Sequence, residues 1–211
     1  MRKILSYIFL IGLISCSSYS QEKGVVDKNS TEKLVIETTS EQDQDYREIV
    51  LSENKLDTFL IPFSEVNMLT TLRNYYEPYR VEANIGQQDG PDFTYINIVR
   101  DDKNPIVYLD FDSENKFKLD EIRIVDSRAV DQYRVRVGNT LSKLITSRDT
   151  GQINFDPFHF HIYYSYKNSN IFYELEGELH TPAVENVEDI VLTYDDIRSH
   201  TIQSIIWRKK N

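Results

Sequence analysis

Between Tyr79 and Val125, apolar residues recur at every second position in four runs separated by turn-forming residues, and no other feature of the chain limits its fold as strongly. The runs cover residues 79–85, 93–99, 106–111 and 119–125. The connections at 86–92, 101–105 and 112–116 are rich in Gly, Asp, Asn and Pro. A period of two puts alternate side chains on opposite faces, so these runs predict an antiparallel meander. A helix precedes it. Ser64 can cap that helix, Glu65 suits its first turn, and Val66, Leu69, Leu72 and Tyr76 follow at spacings of three to four. Extended segments at 48–51 and 56–62 lead into it.

The second half begins the same pattern again. Arg134, Val135, Arg136 and Val137 alternate as a strand, Gly138 and Asn139 turn, and Thr140 caps a short helix carrying Leu141, Leu144 and Ile145. Residues 158–166 and 171–178 read as a hairpin across 167–170, and 202–207 as a last strand. The two helix caps lie 76 residues apart and the equivalent strand segments 82 apart. The expected fold class is therefore α+β: an antiparallel sheet with short helices, in two pseudo-repeated helix-plus-meander halves of one domain.

Cys16 is the only cysteine, so no disulfide can staple this core. It follows Arg2, Lys3, an apolar run at 4–14 and Ser15, the basic and apolar regions of a secretory signal. That run is well short of the roughly 20 apolar residues a spanning helix needs. The segment Leu13-Ile14-Ser15-Cys16 resembles the bacterial lipobox. The resemblance implies removal of residues 1–15 and acylation of Cys16 with diacylglycerol and a further chain such as palmitate. Ser17 in the next position implies sorting to the outer membrane. Two or three acyl chains anchor a protein stably where one does not. Residues 16–46 are dominated by polar and charged types and read as a tether, and residues 47–211 as the folded domain.

The chain carries 24 Lys and Arg against 34 Asp and Glu; loss of Arg2 and Lys3 leaves 22 against 34, a balance of −12. No basic stripe stands out, which argues against nucleic acid as a partner and against a body lying flat on anionic lipid. Contact with a membrane is expected through Cys16 alone.

The segments Ile49-Val50-Leu51-Ser52, Pro62-Phe63-Ser64, Tyr79-Arg80-Val81, Asp89-Gly90-Pro91-Asp92-Phe93, Ile122-Arg123-Ile124, Arg136-Val137-Gly138-Asn139-Thr140-Leu141 and Ile205-Ile206-Trp207 follow one another in an order that resembles an uncharacterised bacterial envelope lipoprotein domain. The resemblance spans most of residues 48–208. It implies a helix-plus-antiparallel-sheet fold and an envelope address; the family brings no catalytic or binding residue, and this chain lacks a cysteine pair in the second half. The layout is also similar to small periplasmic inhibitor modules and to outer-membrane assembly lipoproteins.

Three constellations carry possible chemistry. His159 and His161, two apart on the expected strand, would share a face as zinc ligands do, with Asp156, His180 or His200 to complete a site; the competing reading has Phe158, Phe160, Ile162 and Tyr164 facing the core and both histidines in solvent. Asp110, Asp112, Glu114 and Glu121 stand at places 1, 3, 5 and 12 of a calcium loop, but Asn115 replaces the Gly at place 6 and the flanks alternate like strands, so a hairpin turn explains them equally. Asp89 and Asp92 flank Gly90-Pro91 in a loop open to partner contact. Tyr163, Tyr164 and Tyr166 suit an interface or a half-buried strand. No nucleophile elbow, phosphate loop or dinucleotide fingerprint occurs. The expected function is a non-catalytic, lipid-anchored envelope protein that binds another envelope protein or a glycan, without cofactor or resident metal. An exposed apolar or tyrosine-rich patch on the sheet would distinguish it from the alternative, a periplasmic metal-dependent or carboxylate-based hydrolase with a concave site gathering Asp156, His159, His161 and another ligand.

Overall fold

The computed structural model describes residues 46–62, 68–87, 92–100, 104–112, 118–179 and 190–210, all within the compact unit Asp43–Asn211. Its centre is an eight-stranded antiparallel sheet. The strands β4 (Arg80–Gly86), β5 (Phe93–Val99), β6 (Pro105–Phe111) and β7 (Leu119–Ile124) form the expected meander. The strands β9 (Gln152–Asp156), β10 (His161–Ser165), β11 (Ile171–Glu176) and β12 (Thr201–Arg208) form a second. The order is β4-β5-β6-β7-β12-β11-β10-β9, so the meanders join where β7 pairs with β12, with Ile122 opposite Trp207 and Ile124 opposite Ile205. A smaller sheet holds β1 (Ile49–Leu51), β2 (Lys55–Leu56), β3 (Phe59–Leu60) and β8 (Ala129–Asp131), the last parallel to β1. An α+β fold built mainly of antiparallel sheet with a few short helices is thus what the chain adopts.

The helices are α1 (Met68–Tyr75), α2 (Leu141–Arg148) and α3 (Tyr194–Ile197). α1 buries Met68 and Leu72, followed by Tyr76, as the three-to-four spacing requires; the expected cap Ser64 lies outside the described residues. Thr140 caps α2 as expected, its Oγ1 accepting from Lys143 N at 3.2 Å. Among the described residues no helix is long and apolar enough to cross a membrane.

One face of the large sheet makes the core. Val107, Leu109, Ile122, Ile124, Ile205, Trp207, Tyr173, Ile171, Tyr164 and Ile162 are all at most 2% exposed. Helix residues Leu72, Leu141 and Leu144 and strand residues Ile49, Leu51 and Leu56 belong to the same buried cluster. Each such aliphatic or aromatic side chain contributes about 1.5–3 kcal/mol by leaving water. Arg148 fastens the second half to β1–β2: its Nη2 donates to Glu53 Oε1 at 2.9 Å and Ser169 Oγ at 2.8 Å, its Nη1 to Tyr173 at 3.0 Å, and its guanidinium lies over Tyr133 and Tyr166.

Two expectations fail. Arg134 to Val137 form no strand. Asp131 Oδ1 accepts from Tyr133 N and Val135 N and folds the chain into a tight turn with Arg134 at φ 64°, while Arg134 and Arg136 both reach Glu48. The alternation is real, since Val135 is buried, but the pairing strand is Ala129–Asp131. Nor does one strand cover 158–166. The chain turns at 157–160, with Phe160 at φ 56°, and the missed strand β9 precedes the turn. Phe158 and Phe160 are 72% and 60% exposed rather than core-facing, because Asp156 Oδ1 accepts from the backbone N–H of Phe158 and His159 and holds the turn.

Candidate binding face

The pleat that buries Ile122 and Ile124 sends Glu121 and Arg123 to the other face of the large sheet. Cross-strand register brings Ser204, Ile206 and Arg208 of β12, Phe172 and Glu174 of β11, His161 and Tyr163 of β10, Tyr108 and Asp110 of β6, and Tyr95 and Asn97 of β5 to the same side. No described helix packs there against the strands, and the side chains must settle their charges among themselves.

They do so in a continuous chain that runs from Arg208 to His161. Arg123 donates from Nε to Glu121 Oε1 at 2.9 Å and from Nη1 to Glu174 Oε2 at 2.7 Å. Arg208 engages Glu121 Oε2 through Nη2 and, at 3.1 Å, through Nε. Ser204 Oγ donates to Glu174 Oε2 at 2.7 Å, and His161 Nδ1 lies 2.6 Å from Glu174 Oε1. Burial disfavours the charge on Glu174, but Ser204, His161 and Arg123 together hold its carboxyl below the usual range. Both oxygens of Glu121 and both of Glu174 are therefore occupied.

Asp110 stands outside this network. It faces Glu121 on β7 and Tyr95 on β5, and among the described residues no donor bonds its carboxylate. Burial, and then the charge of Glu121, push it up to about 6. It lines a cleft of about 330 Å³ together with Gly86, Gln87, Phe93, Tyr95, Tyr108 and Arg123. The aromatic rings form a ladder: Phe93 to Tyr95 at 6.0 Å and Tyr95 to Tyr108 at 6.3 Å between centroids, tilted by 39° and 43°. Gly86 makes room for it, because a Cβ there would fall within the Phe93 ring. A smaller cleft of about 140 Å³, lined by Asn154, Tyr163, Phe172, Ile206 and Arg208, opens on the same face, where Tyr163 stacks on His161 at 5.9 Å and 9°.

His159 sits in the turn and bonds Asp156, Nδ1 to Oδ2 at 2.8 Å, and its ring lies 6.2 Å from that of His161, which opens β10 opposite Asp156 but turns its Nδ1 to Glu174. His200 is buried at the start of β12, against Gly177, and His180 lies outside the described residues. Among the described residues no three His, Cys, Asp or Glu gather as a metal site. Asp110 and Glu121 belong to paired strands, and Asp112 N donates to Lys118 O at 3.0 Å to close that hairpin; Glu114 and Asn115 are outside the described residues. Asp92 is exposed immediately before β5, and Asp89 and Cys16 are not described. Of the tyrosines singled out, Tyr163 is on the open face, whereas Tyr164 is buried in the core and Tyr166 packs on Arg148.

The sequence reading missed the Glu121–Arg123–Glu174–Arg208 network. Half of its signal was present, since Glu121 and Arg123 alternate with Ile122 and Ile124 in a strand and must share a face. The other half depends on β7 meeting β12 and β12 meeting β11, which no local pattern encodes.

No family model and no curated protein matches the sequence. Among solved structures, the crystal structure of the uncharacterised protein YfeY from Escherichia coli aligns with a TM-score of 0.55 at 17% identity, covering 77% of this chain and 100% of that one. The likeness is one of fold.

Proposed function

We propose that this chain is a non-catalytic, lipid-anchored protein of the bacterial cell envelope, held at the outer membrane through acylated Cys16, whose domain binds an envelope protein or glycan through the open face of its large sheet. The observation that carries this reading is the face itself: a ladder of half-buried aromatic rings beside a cleft, with a charged network fixing the flanking side chains. Rings that combine apolar area with polar edges suit recognition, and a rigid sheet presents them with little loss of conformational freedom. The address rests on Arg2, Lys3, the apolar run, Ser15, Cys16 and Ser17. The domain is also read as a duplication. An arrangement in which α1 precedes β4–β7, α2 precedes β9–β12, and the two meanders meet antiparallel at β7 and β12 supports that reading.

Mass spectrometry of the mature N-terminal peptide tests the anchor. The expected result is a diacylglyceryl cysteine at Cys16 and membrane fractionation that Cys16→Ala abolishes; an unmodified Cys16 in a membrane-bound protein contradicts it. Affinity capture from cross-linked membranes, with wild type and Cys16→Ala compared, then tests whether a defined envelope component is recovered with the anchored form.

A further inference from the structure

We propose that the cleft lined by Phe93, Tyr95, Tyr108, Asp110 and Arg123 is a binding site for an alkylammonium group, with the Asp110 carboxylate accepting its N–H bonds and the aromatic ladder supplying the surrounding wall. The inference rests on the reading of the open sheet face as a binding face and names the chemistry that the face takes.

Charge complementarity selects the occupant. The cluster on this face holds three carboxylates, Asp110, Glu121 and Glu174, and two guanidiniums, Arg123 and Arg208. Both guanidiniums are committed to Glu121 and Glu174, and the His161 ring, whatever charge it carries, bonds Glu174 rather than Asp110. One carboxylate is left without a donor, half-buried and directly opposite a second carboxylate. Like charges placed so on adjacent strands destabilise a sheet. An anion entering here would add to that repulsion; a cation would relieve it. The walls agree with the charge, because aromatic rings attract a cation through their negative faces. The volume of about 330 Å³ suits a small headgroup or the end of a single side chain. Larger clefts elsewhere lack this combination: that beside Arg148 is lined by an arginine already bonded to Glu53, Ser169 and Tyr173.

The source of the ammonium, a free amine or a lysine side chain, is separated by two probes. n-Butylammonium and the capped peptide acetyl-Gly-Lys-Gly-amide are titrated into the domain and followed by amide NMR, with n-butanol as the uncharged counterpart. Both cationic probes are expected to move the resonances of Tyr95, Tyr108, Asp110 and Arg123 saturably. A peptide at least about tenfold tighter than butylammonium assigns the lysine side chain of a protein partner, and equal affinities a free amine. Asp110→Asn is expected to weaken binding at least about tenfold, the usual effect of losing a charge-assisted hydrogen bond, and Tyr108→Leu several-fold through loss of the ring face. The affinity should also fall from about pH 7 to about pH 5 as Asp110 takes up a proton. The groups acting on it there are Glu121, Asp120 and Arg123 of β7 and Arg208 of β12, with Tyr95 of β5 as its cross-strand neighbour.

Equal binding of n-butanol, or full affinity in Asp110→Asn, overturns the inference. If neither cation binds while an uncharged oligosaccharide shifts the same resonances, the ammonium site is wrong and the binding face stands. If the cations bind here but membrane-derived partners engage a different surface, the ammonium site stands and the wider reading of the face falls.

Discussion

Asp110 and Glu121 stand directly opposite each other on β6 and β7, two carboxylates in register on a partly buried sheet face. Glu121 is bonded by both Arg123 and Arg208, whereas Asp110 takes no hydrogen bond from either and feels only their charge. Folding therefore forces a carboxylate towards its neutral form, a cost that a purely structural sheet would shed by replacing one residue. Groups perturbed in this way concentrate at functional sites.

Asp110→Asn should stabilise the unliganded domain. The folded-state pKa of Asp110, about 6, exceeds its unfolded value of about 3.8, so the penalty is absent below the lower value, grows between them and is complete above the upper. Reduced for a half-exposed group, the gain at pH 7 is about 1–2 kcal/mol, and it vanishes near pH 4. Urea titrations at both pH values check this; a destabilised variant at pH 7 contradicts it.

Arg148→Met should cost about 3–5 kcal/mol, because Glu53 loses its guanidinium partner and two stacked tyrosines lose theirs. Arg148→Lys should recover less than half of this, since a point charge cannot bond Glu53, Ser169 and Tyr173 while lying flat on Tyr133 and Tyr166. Chemical denaturation measures both variants. A loss below about 1 kcal/mol for Met would show that Arg148 does not hold β1–β2 to the second half.

Phe158 and Phe160 offer a test of the turn that replaced the expected long strand. The double variant Phe158→Ser, Phe160→Asn should change stability by no more than about 1 kcal/mol, because both rings are mostly exposed and Asn accepts the left-handed backbone of position 160. Residues in the core would instead lose about 3–5 kcal/mol each on such truncation.

His200 ties stability to acid. Burial lowers its pKa below the ordinary 6.5, and no described group bonds its Nε2. The folded state therefore favours the neutral ring; the resulting stability is present above the unfolded pKa and is lost as pH falls through the folded one. His200→Phe keeps a ring against Gly177 and should remove that part of the acid-side loss. Gly177→Ala should destabilise, because its Cβ would lie 2.6 Å from the His200 ring, a side chain enclosed by packing. Denaturation curves of the two variants between pH 7 and about pH 5 check both statements.

The first meander was legible in the sequence almost residue for residue, because its strands carry apolar residues two apart, as in Val81 to Ile85, Ile96 to Ile98, Val107 to Phe111 and Ile122 to Ile124, and are bounded by turn residues. The Thr140 cap was legible for the same local reason. Around Asp131 and Asp156 the sequence misled. In both places one carboxylate accepts two backbone N–H groups and bends the chain, so a run of alternating or aromatic residues forms a turn instead of a strand. The candidate site was half visible. Alternation placed Glu121 and Arg123 on one face, but Glu174, Ser204 and Arg208 join them only through the β7–β12–β11 pairing, across 51 to 87 residues of chain.

Site-specific photo-crosslinking in membranes tests the central claim most directly, with p-benzoylphenylalanine introduced in place of Tyr108 on the open face and of Lys143 on the exposed side of α2. The account predicts a discrete adduct with an envelope component from position 108, competed by an alkylammonium, and none from position 143. Adducts from position 143 with none from position 108 would contradict it.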